Sequence, residues 1–231
     1  MPSSYSLYEM TAFPELGAGE IVAAPLQLLL DLQMEGIEEP PKTEFTALRR
    51  IPELAMDVFR VFHEYIVRKP GRAKGVSFNI YIANANFPAY YQRINQLLLI
   101  KTSKDIAEGA FKALSKGGRV KGQRRNISLK SIRPYIDRFK GAWFNVDGSA
   151  NVKSQALFGP SIDQDMRFER ASDEGEMYYI RLDYVFKDEL TSLGVSNDSS
   201  IVIYDDNLDE VSELELVLHI KKNLLDKAEL A

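Results

Sequence analysis

Between Lys112 and Lys140 the chain carries ten Lys or Arg residues and a single acid, Asp137. The whole chain has 29 basic and 33 acidic residues, which leaves 19 basic against 32 acidic outside that stretch. A strongly cationic segment in an acidic body is suited to a polyanion, because several Lys and Arg side chains can displace the counterions of successive phosphates. The cations expected to make such contacts are Arg119, Lys121, Arg124, Arg125, Lys130 and Arg133. The two adjacent arginines also have the planar fork that grips a phosphate through two hydrogen bonds.

The same stretch excludes one familiar phosphate site. Gly117 and Gly122 satisfy the glycine spacing of a nucleotide-binding loop, but Gln123-Arg124 stands where that loop needs Lys followed by Ser or Thr. The loop also follows an expected helix, whereas the nucleotide loop follows a strand. Near these cations lie Phe111, Tyr135, Phe139, Trp143 and Phe144, whose rings are expected in the core, with Phe139 continuing the Ile132/Ile136 stripe, and offer stacking of unpaired bases as the alternative. Trp143 and Phe144 are consecutive on an expected strand, so they face opposite ways and only one need be exposed.

A second chemistry would rest on carboxylates. Asp163, Asp165 and Glu169 lie close in sequence, and Asp205-Asp206 follow the apolar run Ile201–Tyr204. Carboxylates at strand ends can hold magnesium beside a phosphoester, giving a metal-dependent hydrolase as one alternative, although Asp is also an ordinary turn residue. His63 and His219 are the two histidines, and each falls in an apolar segment with no companion ligand nearby. Cysteine is absent, so disulfides, thiolate metal sites and cysteine nucleophiles are excluded. No residue set calls for a cofactor or a bound metal.

The elements that must position these groups are read from periodicity. Residues 1–20 read as irregular with a short strand at Tyr5–Tyr8, and Pro25–Met34 as a short buried helix ahead of a Pro40-Pro41 break. Apolar residues recur at three- and four-residue steps from Thr43 to Lys69, which predicts a helix over 52–69 with Leu54, Val58, Phe62 and Ile66 as its buried stripe. A strand is expected at Val76–Ile82, then helices over 88–101 and 104–116. Ser103 is placed to cap the second of these and Gly117 to end it. Beyond the basic loop at 117–126, a helix is expected from Ser131, with Pro134 in its first turn.

After Gly141 the character turns to strands, at about 142–146, 152–158, 177–186, 190–195 and 200–204, interrupted by a helix at 164–171. Turns are expected at Asp188-Glu189 and Asn197-Asp198. Leu214, Leu216, Leu218 and Ile220 alternate with other residues, which favours a strand over 213–220, while Leu208, Val211, Leu214 and Leu218 would equally stripe a helix. No internal repeat is evident.

The expected class is therefore α+β: a helix-rich N-terminal part, 1–140, and an α+β part, 141–231, with an antiparallel meander. The amino-terminal residues show no secretory signal pattern and no apolar run spans a bilayer, so a cytoplasmic protein with no membrane partner is expected. The leading functional expectation is a non-enzymatic protein that binds nucleic acid, DNA or RNA, through its basic loop within a larger assembly. The alternative partner is an acidic protein surface, which would make the chain an adaptor.

Overall fold

The computed structural model describes residues 2–25, 39–73, 75–136, 138–146 and 153–230. The expected helix at 25–34 lies almost wholly outside them. The chain divides into two compact units, one formed by Tyr8–Gln123 and the other by Met1–Leu7 with Arg124–Ala231. Antiparallel sheet dominates both, so the expectation of a helix-rich N-terminal part is wrong.

In the Tyr8–Gln123 unit the sheet contains β1 (Ser3–Ala12, from Tyr8 on), β2 (Ile21–Ala23), β3 (Thr43–Ile51), β4 (Met56–Val67), β7 (Tyr81–Gln92) and β8 (Leu97–Lys101). Their order is β1-β8-β7-β4-β3-β2. A short ribbon of β5 (Gly71–Ala73) and β6 (Val76–Phe78) links β4 to β7. The segment expected to be one helix over 52–69 is a hairpin instead, with Ile51 opposite Met56 and Thr43 opposite His63. Its loop is the turn Pro52–Leu54 closed by Ala55 at φ 50°. Thr43, Phe45 and Ala47 are buried in alternation with Glu44 and Thr46, the two-residue period of a strand.

Two features decide between helix and hairpin. The run is rich in Phe, Val, Ile and Tyr, whose branched or aromatic side chains suit a pleated surface. Pro52 and the left-handed Ala55 then reverse the chain where a helix would begin. The expected helix over 88–101 fails similarly. Residues Ala89–Gln92 pair with Leu97–Ile100 across a turn in which Gln96 has φ 49°. Pro88 lies just outside that ladder, where a missing N–H is tolerated.

The helix expected at 104–116 is present as α1 (Lys104–Ser115). Ser103 stands at its N-cap position and its carbonyl accepts from Ala107 N at 2.9 Å, although its hydroxyl makes no capping bond. Ala107, Ala110, Phe111 and Leu114 make the face of α1 that packs onto Phe45, Phe59 and Leu98 of the sheet. Tyr8 and Phe111 stack with ring centroids 4.0 Å apart. The short strand β9 (Lys121–Gln123) closes this unit by pairing with β1.

In the other unit the sheet order is β11-β10-β12-β13-β14-β1. The strands are β10 (Arg138–Val146), β11 (Ser154–Phe158), β12 (Gly175–Phe186), β13 (Glu189–Ser196) and β14 (Ser200–Ile203), with Ser3–Ser6 of β1 paired to β14. The later strands and the meander stand where the sequence places them. The β12–β13 turn is Lys187-Asp188, at φ 51° and 66°, one residue earlier than expected. Two consecutive left-handed residues are what a tight hairpin of this hand requires.

The helix expected at 164–171 is α2 (Met166–Glu174), whose Phe168 packs against Phe139 and Phe144. The expected helix from Ser131 shrinks to one turn, Arg133–Tyr135. The segment expected as a strand at 213–220 is α3 (Glu210–Asn223), with Leu214, Val217 and Ile220 buried at helical spacing. Asp209 caps it by accepting from Ser212 N at 2.9 Å, and Lys221 and Lys222 lie in its last turn, where cations offset the exposed carbonyls.

In each unit four neighbouring antiparallel strands precede a helix, β3-β4-β7-β8 before α1 and β10-β12-β13-β14 before α3, with β11 and α2 inserted between β10 and β12. The sequence hides this repetition because different side chains satisfy the same pleat. No described helix is long and apolar enough to cross a membrane.

Candidate functional site

The six cations singled out by the sequence fall into two sets. Arg124, Arg125, Lys130 and Arg133 are all engaged with acids of their own unit. The Arg124 guanidinium lies 3.1 Å from Asp198, with the two side chains only 12% and 14% exposed, and it also donates to the Ser200 hydroxyl. Ser196 ties this cluster to the β13–β14 turn, because its hydroxyl donates to Asp198 and accepts from Ser200 N at 3.0 Å. Arg125 donates to Asp226 at 3.1 Å, a carboxylate it shares with Lys221 at 2.7 Å. Lys130 reaches Asp173 at 3.2 Å. Arg133 donates to Glu169 at 2.6 Å and lies over the Phe168 ring.

These arginines fasten an irregular segment to a sheet and two helices. Backbone bonds do the same: Ile127 N donates to Asn197 O at 2.7 Å and Ser128 N to Glu229 O at 2.9 Å. A chain stretch with almost no secondary structure of its own needs such ties for its polar backbone groups.

Arg119 and Lys121 are different. Both are exposed, and neither has an acidic partner among the described residues. Lys116, at the C-cap of α1, is also exposed and without such a partner. The turn between them holds Gly117 and Gly118, the latter at φ 71° with open space around its Cα. Only glycine adopts that backbone without strain, and here it lets the chain leave α1 sharply and enter β9.

The carboxylates do not converge. Asp165 caps α2, accepting from Arg167 N at 2.8 Å and from the Arg167 guanidinium, whose hydrogen bond holds its pKa down at about 2. Asp163 and Glu169 face Arg133, and Asp205 accepts from Asn207 N at 3.0 Å in a local turn. Among the described residues no group of three His, Asp or Glu side chains is placed to hold a metal ion.

His219 lies on the exposed side of α3, edge-on to Tyr184 and Phe186. His63 is 5% exposed and shares a hydrogen bond of 2.8 Å between Nδ1 and the Thr43 hydroxyl. Its Nε2 lies 3.0 Å from where a Cβ on Gly109 would stand, so α1 covers the ring closely. Burial pushes the His63 pKa below 6.5, against a smaller upward pull from Glu64. A neutral histidine of this kind contributes stability that is complete above pH 6.5 and is lost as pH falls below it, because the unfolded chain then binds a proton that the folded one does not. Urea midpoints at about pH 7.5 and about pH 5 should therefore differ more for the parent than for His63→Asn, and equal differences would show that His63 is not responsible.

Of the five aromatics near the basic segment, Phe111, Phe139 and Phe144 are core side chains. Tyr135 is 45% exposed, with Lys227 Nζ 4.7 Å from its ring centre. Trp143 is half-buried on the face of β10 opposite to Phe144, as their adjacency requires. Sequence reasoning missed Tyr179, Arg181 and Tyr204, which share that face. Their signal is the alternation along β12 and β14, where Ile180, Leu182, Ile201 and Ile203 are buried and the residues between them are not fully so. No protein-family model matches the chain, and no curated protein matches it in sequence.

Proposed function

We propose that the chain is a non-enzymatic, cytoplasmic nucleic-acid-binding protein that works within a larger assembly and holds phosphates with the turn after α1. The observation that carries this reading is the set Lys116, Arg119 and Lys121, exposed around a two-glycine turn with no acidic partner among the described residues. Three like charges within six residues repel one another, and an external polyanion relieves that repulsion while releasing its own counterions. Arg124, Arg125 and Arg133 have the different task of holding the following segment in place.

The test is a salt series of binding by the parent and by the triple variant Lys116→Ala, Arg119→Ala, Lys121→Ala. The slope of log affinity against log salt should flatten by about 2 for a single strand, or by about 2.7 for duplex DNA. Stability should change by only a few tenths of a kcal/mol, because all three side chains are exposed. Parent and variant with equal slopes would contradict the role of the turn. A parent with no affinity for any nucleic acid at moderate salt would contradict the function and favour an acidic protein surface as partner.

A further inference from the structure

We infer that the face of the β10–β14 sheet bearing Trp143 stacks unpaired bases, so that the nucleic acid of the preceding proposal, on which this rests, is single-stranded. Strand register brings the rings together. Trp143 pairs with Tyr179 and Gly141 pairs with Phe158 across neighbouring strands. Phe158, 66% exposed, meets Trp143 edge-on at 4.9 Å, and Trp143 meets Tyr179 at 5.0 Å. The Tyr179 and Tyr204 hydroxyls share a hydrogen bond of 2.7 Å, and the Arg181 guanidinium lies 4.4 Å from the Tyr204 ring centre.

Two glycines make this arrangement possible. A Cβ on Gly194 would stand 1.7 Å from the Tyr179 hydroxyl oxygen, and one on Gly141 would stand 3.0 Å from the Trp143 ring. Tyr179 and Trp143 therefore lie against glycines, where any larger residue would collide with their rings.

Charge favours a nucleic acid over an apolar partner. Arg138 and Arg181 belong to this part of the sheet, where Lys140 is already taken up by an acid. Asp183 is 4% exposed and pairs with Lys140 at 2.7 Å, while Glu176 accepts from Asn197 at 3.0 Å. Rings beside cations suit bases linked by phosphates, since every base has a π-face and every link a negative charge. Duplex bases are already stacked on each other and present no free face, so the inference singles out single strands.

Trp143 is the only tryptophan, so its fluorescence reports on this face alone. Oligothymidine and oligouridine should quench it and a duplex of mixed sequence should not. Phe158→Ser, at a side chain 66% exposed, should weaken single-strand binding about tenfold, and Trp143→Ala should weaken it at least as much. The triple turn variant should reach the same quenching at saturation, but only at a higher oligonucleotide concentration.

Salt-dependent binding that is lost in the turn variant, with Trp143 fluorescence and the Phe158→Ser affinity unchanged, would overturn this inference and leave the phosphate-binding turn standing. No binding of either nucleic acid would overturn both. A Trp143 signal that follows protein concentration, with a molar mass rising to that of a dimer, would assign the face to a second copy and also overturn it.

Discussion

Phe59→Ala is expected to lower the unfolding free energy by about 3–5 kcal/mol, the cost of emptying a well-packed aromatic site. Phe59 is 1% exposed, with Phe13 at 5.4 Å and Phe45 at 6.4 Å between ring centres. Phe62→Ala should cost roughly 1 kcal/mol, since the half-buried Phe62 stands opposite Glu44 and Asn86 and has less surface to lose. A helical reading of the same residues orders them the other way, with Phe62 on the buried stripe beside Val58. Urea denaturation followed by circular dichroism distinguishes the two, and a larger loss for Phe62→Ala would contradict the hairpin.

The second large effect is at Arg124. Arg124→Ala should destabilise the Arg124–Ala231 part by about 3–5 kcal/mol, because it removes the guanidinium that faces the largely buried Asp198 carboxylate. The double change Arg124→Met with Asp198→Leu should recover much of that loss, since removing both charges also removes the desolvation penalty. Nucleic-acid affinity, measured on the folded fraction, should be unaffected by either. If Arg124→Ala instead left stability unchanged and weakened binding, the arginine would belong to the contact surface.

These two predictions mark where the sequence was readable. Strands after Gly141 were legible because their turns carry strong local signals: Asn197-Asp198 reverses the chain, and the apolar runs between turns are short. The N-terminal hairpins were not. Phe45, Ile51, Val58 and Phe62 recur at steps that fit a helix as well as a strand, and nothing in periodicity alone tells a long two-sided strand from a helical stripe. At α3 the error ran the opposite way. Leu214, Leu216 and Ile220 alternate like a strand, and the deciding signals were the Asp209 cap and the lysines at the far end.

The basic segment was legible as a composition and illegible as a site. Sequence shows that Arg124 and Arg119 are both arginines five residues apart. It cannot show that a turn 74 residues later brings Asp198 to the first and that no described acid meets the second, because that pairing is a property of the sheet. The aromatic face was hidden for the same reason, as its rings come from β10, β11, β12 and the residue that follows β14.

Lysine footprinting tests the central claim most directly. The protein is acetylated with a small amine reagent, with and without a saturating single-stranded oligonucleotide, and each lysine is read by mass spectrometry. Lys116 and Lys121 should be protected by the oligonucleotide, whereas Lys130 and Lys187, held by Asp173 and Glu215, should react equally in both samples. Lys116 and Lys121 modified to the same extent with and without the strand would contradict the account.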